Sequence, residues 1–224
     1  MALSKSEKMS IVGIAAAALI VAALFGVQHI MHEVQDQRVR EEKKSLDVSV
    51  GMGEPLQLDS ADDERPLVDG SSYSAALCFD GTASVTFENA RLYDSKENVD
   101  ALVGDPAWRG ALDVSSAKGY LVCSVTFENV DAVPQIVSQD GIPVFNAGIF
   151  RVNHGGEIAW TSASVDRTNH HDALNFEVPK GESRTFDVLF VFFEDVNPDG
   201  LQTWLGTNSM KRYRCELTVD DCRG

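Results

Sequence analysis

The hexapeptide SVTFEN occurs twice in this chain of 224 residues, as Ser84–Asn89 and again as Ser124–Asn129. In both copies Val and Phe alternate with Thr and Glu. An alternation with a period of two is typical of a β-strand that has one buried face and one wet face. Val, Thr and Phe are also residues that strands favour. The two copies therefore predict two half-buried β-strands, and these strands decide the fold class.

The residues on either side of the two copies do not match, since FDGTA precedes the first copy and GYLVC the second. A true repeat would extend the similarity over about twenty or more residues and would usually occur three times. We therefore interpret the copies as two strands with the same alternation of apolar and polar residues, not as a duplicated domain.

Further strands follow the same pattern along the chain. The apolar run Val188–Phe193 predicts a central strand that is covered on both faces. The dipeptide DG at Asp80 and the tripeptide HGG at His154 are typical of hairpin turns. The other predicted strands are Leu56–Leu58, Ser74–Phe79, Gly148–Asn153, Glu157–Ser162, Thr185–Glu194 and Arg214–Val219. About eight short strands predict an all-β fold, a β-sandwich.

The N-terminal region has a different composition. Residues 9–28 carry no charge, and at about 1.5 Å per residue a helix of this length matches the roughly 30 Å hydrocarbon core of a bilayer. Nothing polar marks a solvated face, which argues against a buried soluble helix. Lys5 and Lys8 supply the positive charge that precedes the apolar run in both signal peptides and membrane anchors. No Ala-x-Ala site follows the run, so we predict an uncleaved transmembrane anchor.

These observations predict four segments. Residues 1–8 form a short cytoplasmic N-terminus, 9–30 the single transmembrane helix, 31–45 a helical stalk and 46–224 an extracellular β-sandwich domain. The stalk is charged and lacks the heptads of a coiled coil. The predicted location is the plasma membrane, with one span and the C-terminal domain outside.

The charge of the chain excludes one class of partner. The formal net charge is −15, and the first 30 residues contribute +1 through Lys5, Glu7 and Lys8, so the rest of the chain carries −16. Such a surface repels phosphate backbones, so we expect no nucleic-acid partner. A solvated acidic surface explains this charge without an acidic binding site.

The chain contains four cysteines, and no two of them form a C-x-x-C pair that would indicate zinc or redox chemistry. An even number in a predicted exterior domain favours disulfides, although Cys78 and Cys123 could equally be buried small hydrophobes.

The stretch DVNPDG, residues 195–200, resembles the start of a calcium loop because its oxygens alternate before a glycine. The candidate ligands are Asp195, Asn197 and Asp199, but position twelve is Gly206 where a calcium loop has Glu. Three side chains and one carbonyl give about four of the six to eight oxygens that calcium needs. We predict a surface turn without an obligatory metal, with Asn197 capping a short helix.

No catalytic residue is assigned by motif. The chain has no G-x-S-x-G elbow, no Walker A loop and no H-E-x-x-H helix. The adjacent His170 and His171 could join His154 at a metal, but neighbouring side chains of an extended segment point to opposite sides. We predict that the protein is not an enzyme and has no cofactor, while a dispersed triad stays possible in principle.

Four segments together resemble a known family: GEPLQLD, GTASVTFENARLYDS, GYLVCSVTFENVD and VPKGESRTFDVLFVFFEDV. Behind a membrane helix and a stalk they look like the telokin-like, immunoglobulin-fold extracellular domains of unknown function in membrane-anchored Gram-positive surface proteins. The resemblance covers roughly residues 50–220. The turn at 179–182, Pro-Lys-Gly-Glu, departs from the family's Pro-Gly-Glu-like turn by an inserted Lys. The resemblance implies an immunoglobulin-like antiparallel β-sandwich behind a single N-terminal transmembrane helix, and it supplies no catalytic residues. In such a topology an early strand can run parallel to the last strand. We therefore expect Cys78 near Cys222 and Cys123 near Cys215, while other connectivities stay open.

The function expected from the sequence is noncatalytic binding or envelope assembly by a membrane-anchored extracellular module, through its strand edges or loops. Its expected partners are the membrane, through the N-terminal helix, and a protein or other component of the cell envelope. Two alternatives remain: an extracellular hydrolase with a dispersed catalytic site, and a structural surface spacer.

Overall fold

The structure is a computed structural model that describes residues 31–38, 48–63, 79–103, 116–165, 173–205 and 213–224. The chain divides into two compact units. In the first unit the structure describes helix α1, residues 31–38, which lies within the predicted stalk and is exposed along its whole length. Every described strand belongs to the second unit.

No helix in these described ranges is long and apolar enough to cross a bilayer. The predicted anchor, residues 9–30, lies outside them, as do residues 39–45 of the predicted stalk.

Strands dominate the second unit, so the chain is all-β in class. The strands are β1 (Val48–Gly51), β2 (Leu56–Asp59), β3 (Phe79–Asp80), β4 (Thr82–Tyr93), β5 (Gly119–Asn129), β6 (Val133–Pro134), β7 (Ile136–Val137), β8 (Pro143–Asn146), β9 (Phe150–Val152), β10 (Glu157–Thr161), β11 (Asn175–Phe176), β12 (Ser183–Phe192), β13 (Gln202–Leu205), β14 (Tyr213–Glu216) and β15 (Val219–Asp221). The described helices of this unit are short: α2 (Ser60–Asp63), α3 (Lys96–Val103) and the 3-10 turn Ala147–Ile149.

The strands form two larger and two smaller sheets. The four-stranded sheet has the order β1-β14-β13-β9, and the six-stranded sheet has the order β10-β12-β5-β4-β15 with β2 also paired to β4. The smaller sheets are β11-β8-β7 and β3-β6. Strand β1 runs parallel to β14 and β15 runs parallel to β4. The other pairings in these two sheets are antiparallel, so each larger sheet is mixed only through one edge strand.

The two copies of SVTFEN pair with each other. They lie on neighbouring antiparallel strands, β4 and β5, with Thr86 opposite Thr126 at the centre of the pairing. Val85 lies opposite Phe127 and Phe87 opposite Val125. All four of these apolar side chains are buried, which confirms the predicted faces of both strands.

A β-bulge shifts the register of β4 after Phe87. The exposed Glu88 lies at this shift, and the buried face resumes at Ala90 and Leu92. The extra residue explains why the period-two alternation of the sequence breaks between Phe87 and Ala90, since a bulge places two residues opposite one.

Aromatic rings hold the smaller β11-β8-β7 sheet onto the core. Phe145 of β8 and Phe176 of β11 pack against Phe127 of β5, with ring centroids 4.8 and 5.2 Å away. Phe176 also lies 4.8 Å from Phe186 of β12. Aromatic pairs at such distances each contribute about 0.5–1.5 kcal/mol beyond the burial of their area.

Strand β12 is covered on both faces, as its apolar run predicted. Val188 and Phe190 belong to the main core, whereas Leu189 and Val191 belong to a second cluster on the opposite face. That cluster also includes Trp160 of β10 and the fully buried Val99 of α3. The strand lies between β10 and β5, so it is central in its sheet.

Neither predicted hairpin forms among the described strands, and residues 74–78 of the predicted strand Ser74–Phe79 lie outside the described residues. After Asp80 the chain enters β4, yet β3 pairs with β6 and not with β4. The HGG turn joins β9 of the four-stranded sheet to β10 of the six-stranded sheet, so it crosses between sheets. Its left-handed backbone, with φ of 58° at His154 and 70° at Gly155, suits a tight turn but does not determine which strands pair.

The predicted last strand, Arg214–Val219, is divided in the structure. Its first part belongs to β14 in the four-stranded sheet, and its end begins β15 in the six-stranded sheet. The N–H of Leu217, between the two strands, donates to the carbonyl of Leu201 at 3.0 Å. The strand divides because the chain changes sheets at this point.

Candidate functional site

The three described cysteines are free thiols: Cys123 and Cys215 are buried, and Cys222 is exposed. Cys123 of β5 and Cys215 of β14 share one core between the two larger sheets. Burial is the main cause that raises the pKa of both thiols, to about 11 for Cys215, and Cys215 itself further raises that of Cys123. The two thiols are thus in electrostatic range, but no bond joins them. They pack as small hydrophobes, which for Cys123 is the alternative that the sequence left open.

The pairing of Cys78 with Cys222 stays a prediction, because Cys78 lies outside the described residues. The last strand, β15, does run parallel to an earlier strand, but that strand is β4 and not the predicted strand that ends near Cys78. The N–H of Cys222 donates to the carbonyl of Leu92 at 2.9 Å, near the end of β4. Phe79, by contrast, precedes the start of β4, so these two described residues stand at opposite ends of that strand.

The DVNPDG stretch forms a surface turn after β12, as predicted. The side-chain oxygen of Asn197 accepts the N–H of Asp199 at 3.1 Å, and Leu201 N–H reaches the Pro198 carbonyl at 3.4 Å. The turn does not continue into the predicted short helix. Among the described residues no group of three or more His, Cys, Asp or Glu could hold a metal. The expectation that this turn has no obligatory metal stays a prediction.

The C-terminus holds this turn in place. Arg223 donates from Nη1 to the carbonyl of Val196 at 2.9 Å and from Nη2 to Asp221 at 2.7 Å. Hydrogen bonds from Arg223 lower the pKa of Asp221 to about 2. Asp195 lies 3.8 Å from Lys118, but both side chains are mostly exposed, so this ion pair contributes little.

The histidine cluster considered from the sequence is only partly described. His154 is exposed in the turn between β9 and β10. His170 and His171 lie outside the described residues.

A different group of side chains stands out on the outer face of the four-stranded sheet. Trp204 of β13 lies directly opposite Arg151 of β9 on one side and opposite Arg214 of β14 on the other. We call these three residues the arginine–tryptophan row. Residues that face each other across antiparallel strands have Cβ atoms about 4.5–5.5 Å apart, so the indole is flanked by two arginine side chains.

The alternation of each strand turns the row away from the core. The neighbours of the row along the three strands are all buried: Phe150, Val152, Thr203, Leu205, Tyr213 and Cys215. Since successive strand side chains point to opposite faces, Arg151, Trp204 and Arg214 point outward. Arg151 is exposed, and Trp204 and Arg214 are partly exposed.

Polar residues surround the row on the same face. Ser49 of β1 continues it beyond Arg214. Gln202 and Glu216 form the next rung of the sheet. Within the ranges that the structure describes, Arg151 makes no ion pair, so its charge faces solvent. The row is a cationic and aromatic site on a chain whose net charge is −15.

The sequence analysis missed the row because it missed β13. Gln202–Leu205 is only four residues long and directly follows the DVNPDG turn. A signal was present, since Leu201, Thr203 and Leu205 alternate with Gln202 and Trp204. Trp204 lies beside two arginines only because β13 pairs with β9 and β14. Alternation within one strand does not specify which other strands it pairs with.

Comparisons of the chain with protein-family models, with curated proteins and with solved structures found no match.

Proposed function

We propose that this chain is a noncatalytic, membrane-anchored binding module of the cell envelope. Its ligand contacts the outer face of the four-stranded sheet, and the arginine–tryptophan row is the observation that carries this proposal. Trp and Arg are the residues most enriched at binding hot spots. Here they lie side by side on an exposed sheet face, where packing of the core does not require them.

The second unit is, in this proposal, an immunoglobulin-like sandwich. The constant-type fold has strands A-B-E-D in one sheet and C-F-G in the other. The order β4-β5-β12-β10 matches the first sheet and β9-β13-β14 matches the second, with the letters following the chain order. This agreement in strand order supports the assignment, and the row then lies on the C-F-G sheet.

Several features go beyond a minimal immunoglobulin-like sandwich. Strands β6, β7 and β8 are inserted between the B-like and C-like strands. The outer edge of β4 is occupied by β2 over one half and by β15 over the other. A covered edge cannot add a further strand, so a sheet face is favoured over this strand edge as the binding surface.

The membrane anchor and extracellular location of the proposal come from the sequence. The uncharged run of residues 9–28 has the length of a membrane span, and Lys5 and Lys8 precede it. Helix α1 follows at residues 31–38 and is exposed throughout. In the proposal, the charged stalk joins the anchor to the binding module along the chain.

Photocrosslinking on intact cells tests the proposal. A photoreactive amino acid replaces Ser49, which is exposed beside Arg214, in the full-length chain. A matched probe replaces Thr185, which is exposed on a strand of the other sheet. We expect envelope material to crosslink at position 49 and not at position 185.

Three outcomes would contradict parts of the proposal. If neither position crosslinks to envelope material, the protein is a structural spacer and not a binding module. Equal capture at both positions would remove the four-stranded sheet as the binding face. A cell-free mature protein whose N-terminus begins near Leu24 would exclude the retained anchor.

A further inference from the structure

We infer that the outer face of segment 130–143 binds a partner protein through a segment that carries both aliphatic and basic side chains. This surface lies on other strands than the arginine–tryptophan row, so the inference goes beyond the proposed function. Five of the large hydrophobic residues that the structure describes in the second unit are exposed, and four of them belong to this segment: Val130, Val133, Val137 and Ile142. The fifth is Val165. Single exposed apolar residues are ordinary, but a cluster of them marks an interaction site.

The alternation of this segment turns two valines toward solvent. Every second residue faces the protein and is buried or partly buried: Ala132, Pro134, Ile136 and Ser138. The residues between them are exposed: Asp131, Val133, Gln135 and Val137. Val133 and Val137 therefore lie on the same face, roughly 13 Å apart along the chain. A solvated strand face normally carries polar residues, so packing of the core does not explain the two outward valines.

Strand pairing places a further exposed residue beside each valine. Asp80 of β3 lies directly opposite Val133, and Pro143 of β8 lies directly opposite Val137. Residues that face each other in this way have Cβ atoms about 4.5–5.5 Å apart. We call Asp80, Asp131, Val133, Val137 and Pro143 the valine–aspartate surface. It combines an apolar part with two carboxylates that one partner segment can reach together.

Hydrogen bonds hold this surface in place. Asp131 accepts the N–H of Thr82 at 2.7 Å and also the hydroxyl of Thr82. These two bonds lower the pKa of Asp131, so its carboxylate stays ionised at neutral pH. Gln135 donates to Asp80 at 2.9 Å, which ties β6 to β3. A surface that is ordered before binding loses less conformational entropy when a partner docks.

Charge complementarity selects a basic partner. Within the part of the chain that the structure describes, neither Asp80 nor Asp131 makes an ion pair, and neither does Asp140 of the nearby β7–β8 turn. Lys180 lies in electrostatic range of Asp131 and offsets part of this charge. The aspartates outnumber this lysine. A lysine or arginine of the partner can therefore pair with the carboxylates while its aliphatic side chains cover the two valines.

Two other occupants fit the surface less well. In a two-fold contact the same patch meets itself, so a second copy of this chain would bring aspartates against aspartates. An anionic bilayer would be repelled by the same charges. The five residues of the surface also include none of the tryptophan, tyrosine, lysine or arginine side chains that hold proteins at a membrane interface.

Peptide binding to the full-length chain in phosphatidylcholine nanodiscs tests this inference, with binding to empty nanodiscs subtracted. The first probe is a short peptide of alternating lysine and valine. In the second, serine replaces every valine, and in the third, glutamate replaces every lysine. We expect the first to bind about tenfold more tightly than either of the others. Equal binding of the serine peptide, equal binding of the glutamate peptide or no binding of the first would overturn the inference.

Valine variants assign the binding to the surface. Val133→Ser and Val137→Ser are each expected to weaken binding of the first peptide about fivefold or more, because each removes apolar area from the contact. Val165→Ser is the matched control, since it changes an exposed valine that lies outside the segment. Circular dichroism checks that all three variants stay folded. Unchanged binding in both surface variants, or an equal loss in the control, would contradict the assignment.

A second pair of variants tests the charge. Asp80→Asn keeps an oxygen for Gln135 and removes the carboxylate beside Val133. We expect it to weaken binding of the first peptide about threefold or more. Asp199→Asn removes the same charge from the exposed turn after β12 and is expected to leave binding unchanged. Equal effects of the two variants would show that only the net charge of the chain attracts the peptide.

The competing occupants are distinguished by Val133→Ser. Sedimentation of the nanodisc complexes detects self-association, and flotation with protein-free phosphatidylcholine vesicles detects binding to a bilayer. We expect neither for the unchanged chain. Self-association or vesicle binding that Val133→Ser abolishes would identify a second copy or a lipid surface as the occupant, and either result would overturn the inference.

Discussion

Thr86 and Thr126 lie directly opposite each other at the centre of the β4–β5 pair. The two identical hexapeptides therefore form one antiparallel, nearly self-complementary unit in the middle of the six-stranded sheet. The hydroxyl of Thr126 also lies 2.8 Å from that of Thr185 on β12, so a row of threonines crosses three strands. The apolar partners of these threonines, one residue away on each strand, form the inner face and supply the core.

The first prediction concerns Phe127, the second-copy phenylalanine. Its ring is fully buried and contacts the rings of Phe145 and Phe176. Phe127→Ala is expected to lower the free energy of unfolding by about 3–5 kcal/mol, because it leaves a cavity and removes two aromatic pairs. Denaturant titration followed by circular dichroism measures this change.

Thr126→Ala is the matched control for Phe127→Ala. It changes the adjacent residue of the same strand, on the other face, and removes one hydroxyl pair with Thr185. We expect a loss of about 1 kcal/mol or less. Equal losses in the two variants would show that Phe127 does not anchor the core.

The second prediction concerns Gly81, at the start of β4. Its φ is +98°, and a Cβ there would lie 2.9 Å from the carbonyl oxygen of Asp131. Gly141 also has a positive φ, +80°, but a Cβ there would meet nothing within 4 Å. Both Gly→Ala changes carry the left-handed cost of about 1–2 kcal/mol, and Gly81→Ala adds a clash with backbone. Gly81→Ala should therefore be the more destabilising, and the same denaturant titration compares them.

The local features of the fold could be predicted from the sequence, whereas strand partners could not. Alternation identified the inner faces of β4 and β5, and the apolar run identified β12, because each depends on neighbouring residues alone. The DG and HGG signals determined turns correctly but suggested the wrong pairs, since β3 pairs with β6 and β9 with β13. Pairing is decided by packing across the whole domain.

The same limit applies to the candidate site. The sequence singled out Asp195, Asn197 and Asp199 because their spacing along the chain resembles a known loop. Arg151, Trp204 and Arg214 come together only through the pairing of β9, β13 and β14. Their separation along the chain carries no pattern, so sequence spacing could not reveal them.

The third prediction concerns pH. Arg223 lowers the pKa of Asp221 to about 2 in the folded protein, below the value of about 3.9 for an unperturbed Asp. Because this pKa is lower in the folded state than in the unfolded state, ionised Asp221 stabilises the fold at pH values above the unfolded-state pKa. This stabilisation is lost as the pH falls through the folded-state pKa of about 2. Asp221→Asn should remove that part of the pH dependence. Unfolding titrations between about pH 5 and pH 2 compare it with Asp220→Asn, which changes a neighbouring acid without the Arg223 contact.

An NMR titration of the Asp221 carboxyl provides a direct check. A midpoint near the ordinary value in the intact chain would contradict the Arg223 interaction. The interaction would also be contradicted if the unfolding of Asp221→Asn depended on pH in the same way as the unfolding of the unchanged protein.

The fourth prediction concerns calcium at the DVNPDG turn. Asn197 uses its side-chain oxygen to accept the N–H of Asp199, which further reduces an already small set of ligands. We expect any calcium affinity of the full-length chain to be weak, in the roughly 0.1–1 mM range of extracellular modules. Calorimetric titration measures it. Micromolar binding that disappears in Asp195→Ala and persists in Asp187→Ala would show that calcium belongs to the function.

The last prediction concerns the three described thiols. Burial raises the pKa of Cys123 and Cys215 and shields both from solvent, whereas Cys222 is exposed. Alkylation needs an accessible thiolate. In the folded protein we therefore expect iodoacetamide to modify Cys222 and to spare the other two. After unfolding without a reductant, all three should react, because the buried thiols are free. Peptide mass spectrometry reads each site separately. A Cys123–Cys215 peptide two hydrogens lighter, with neither site alkylated, would establish the inter-sheet bond that the sequence suggested and that the structure lacks.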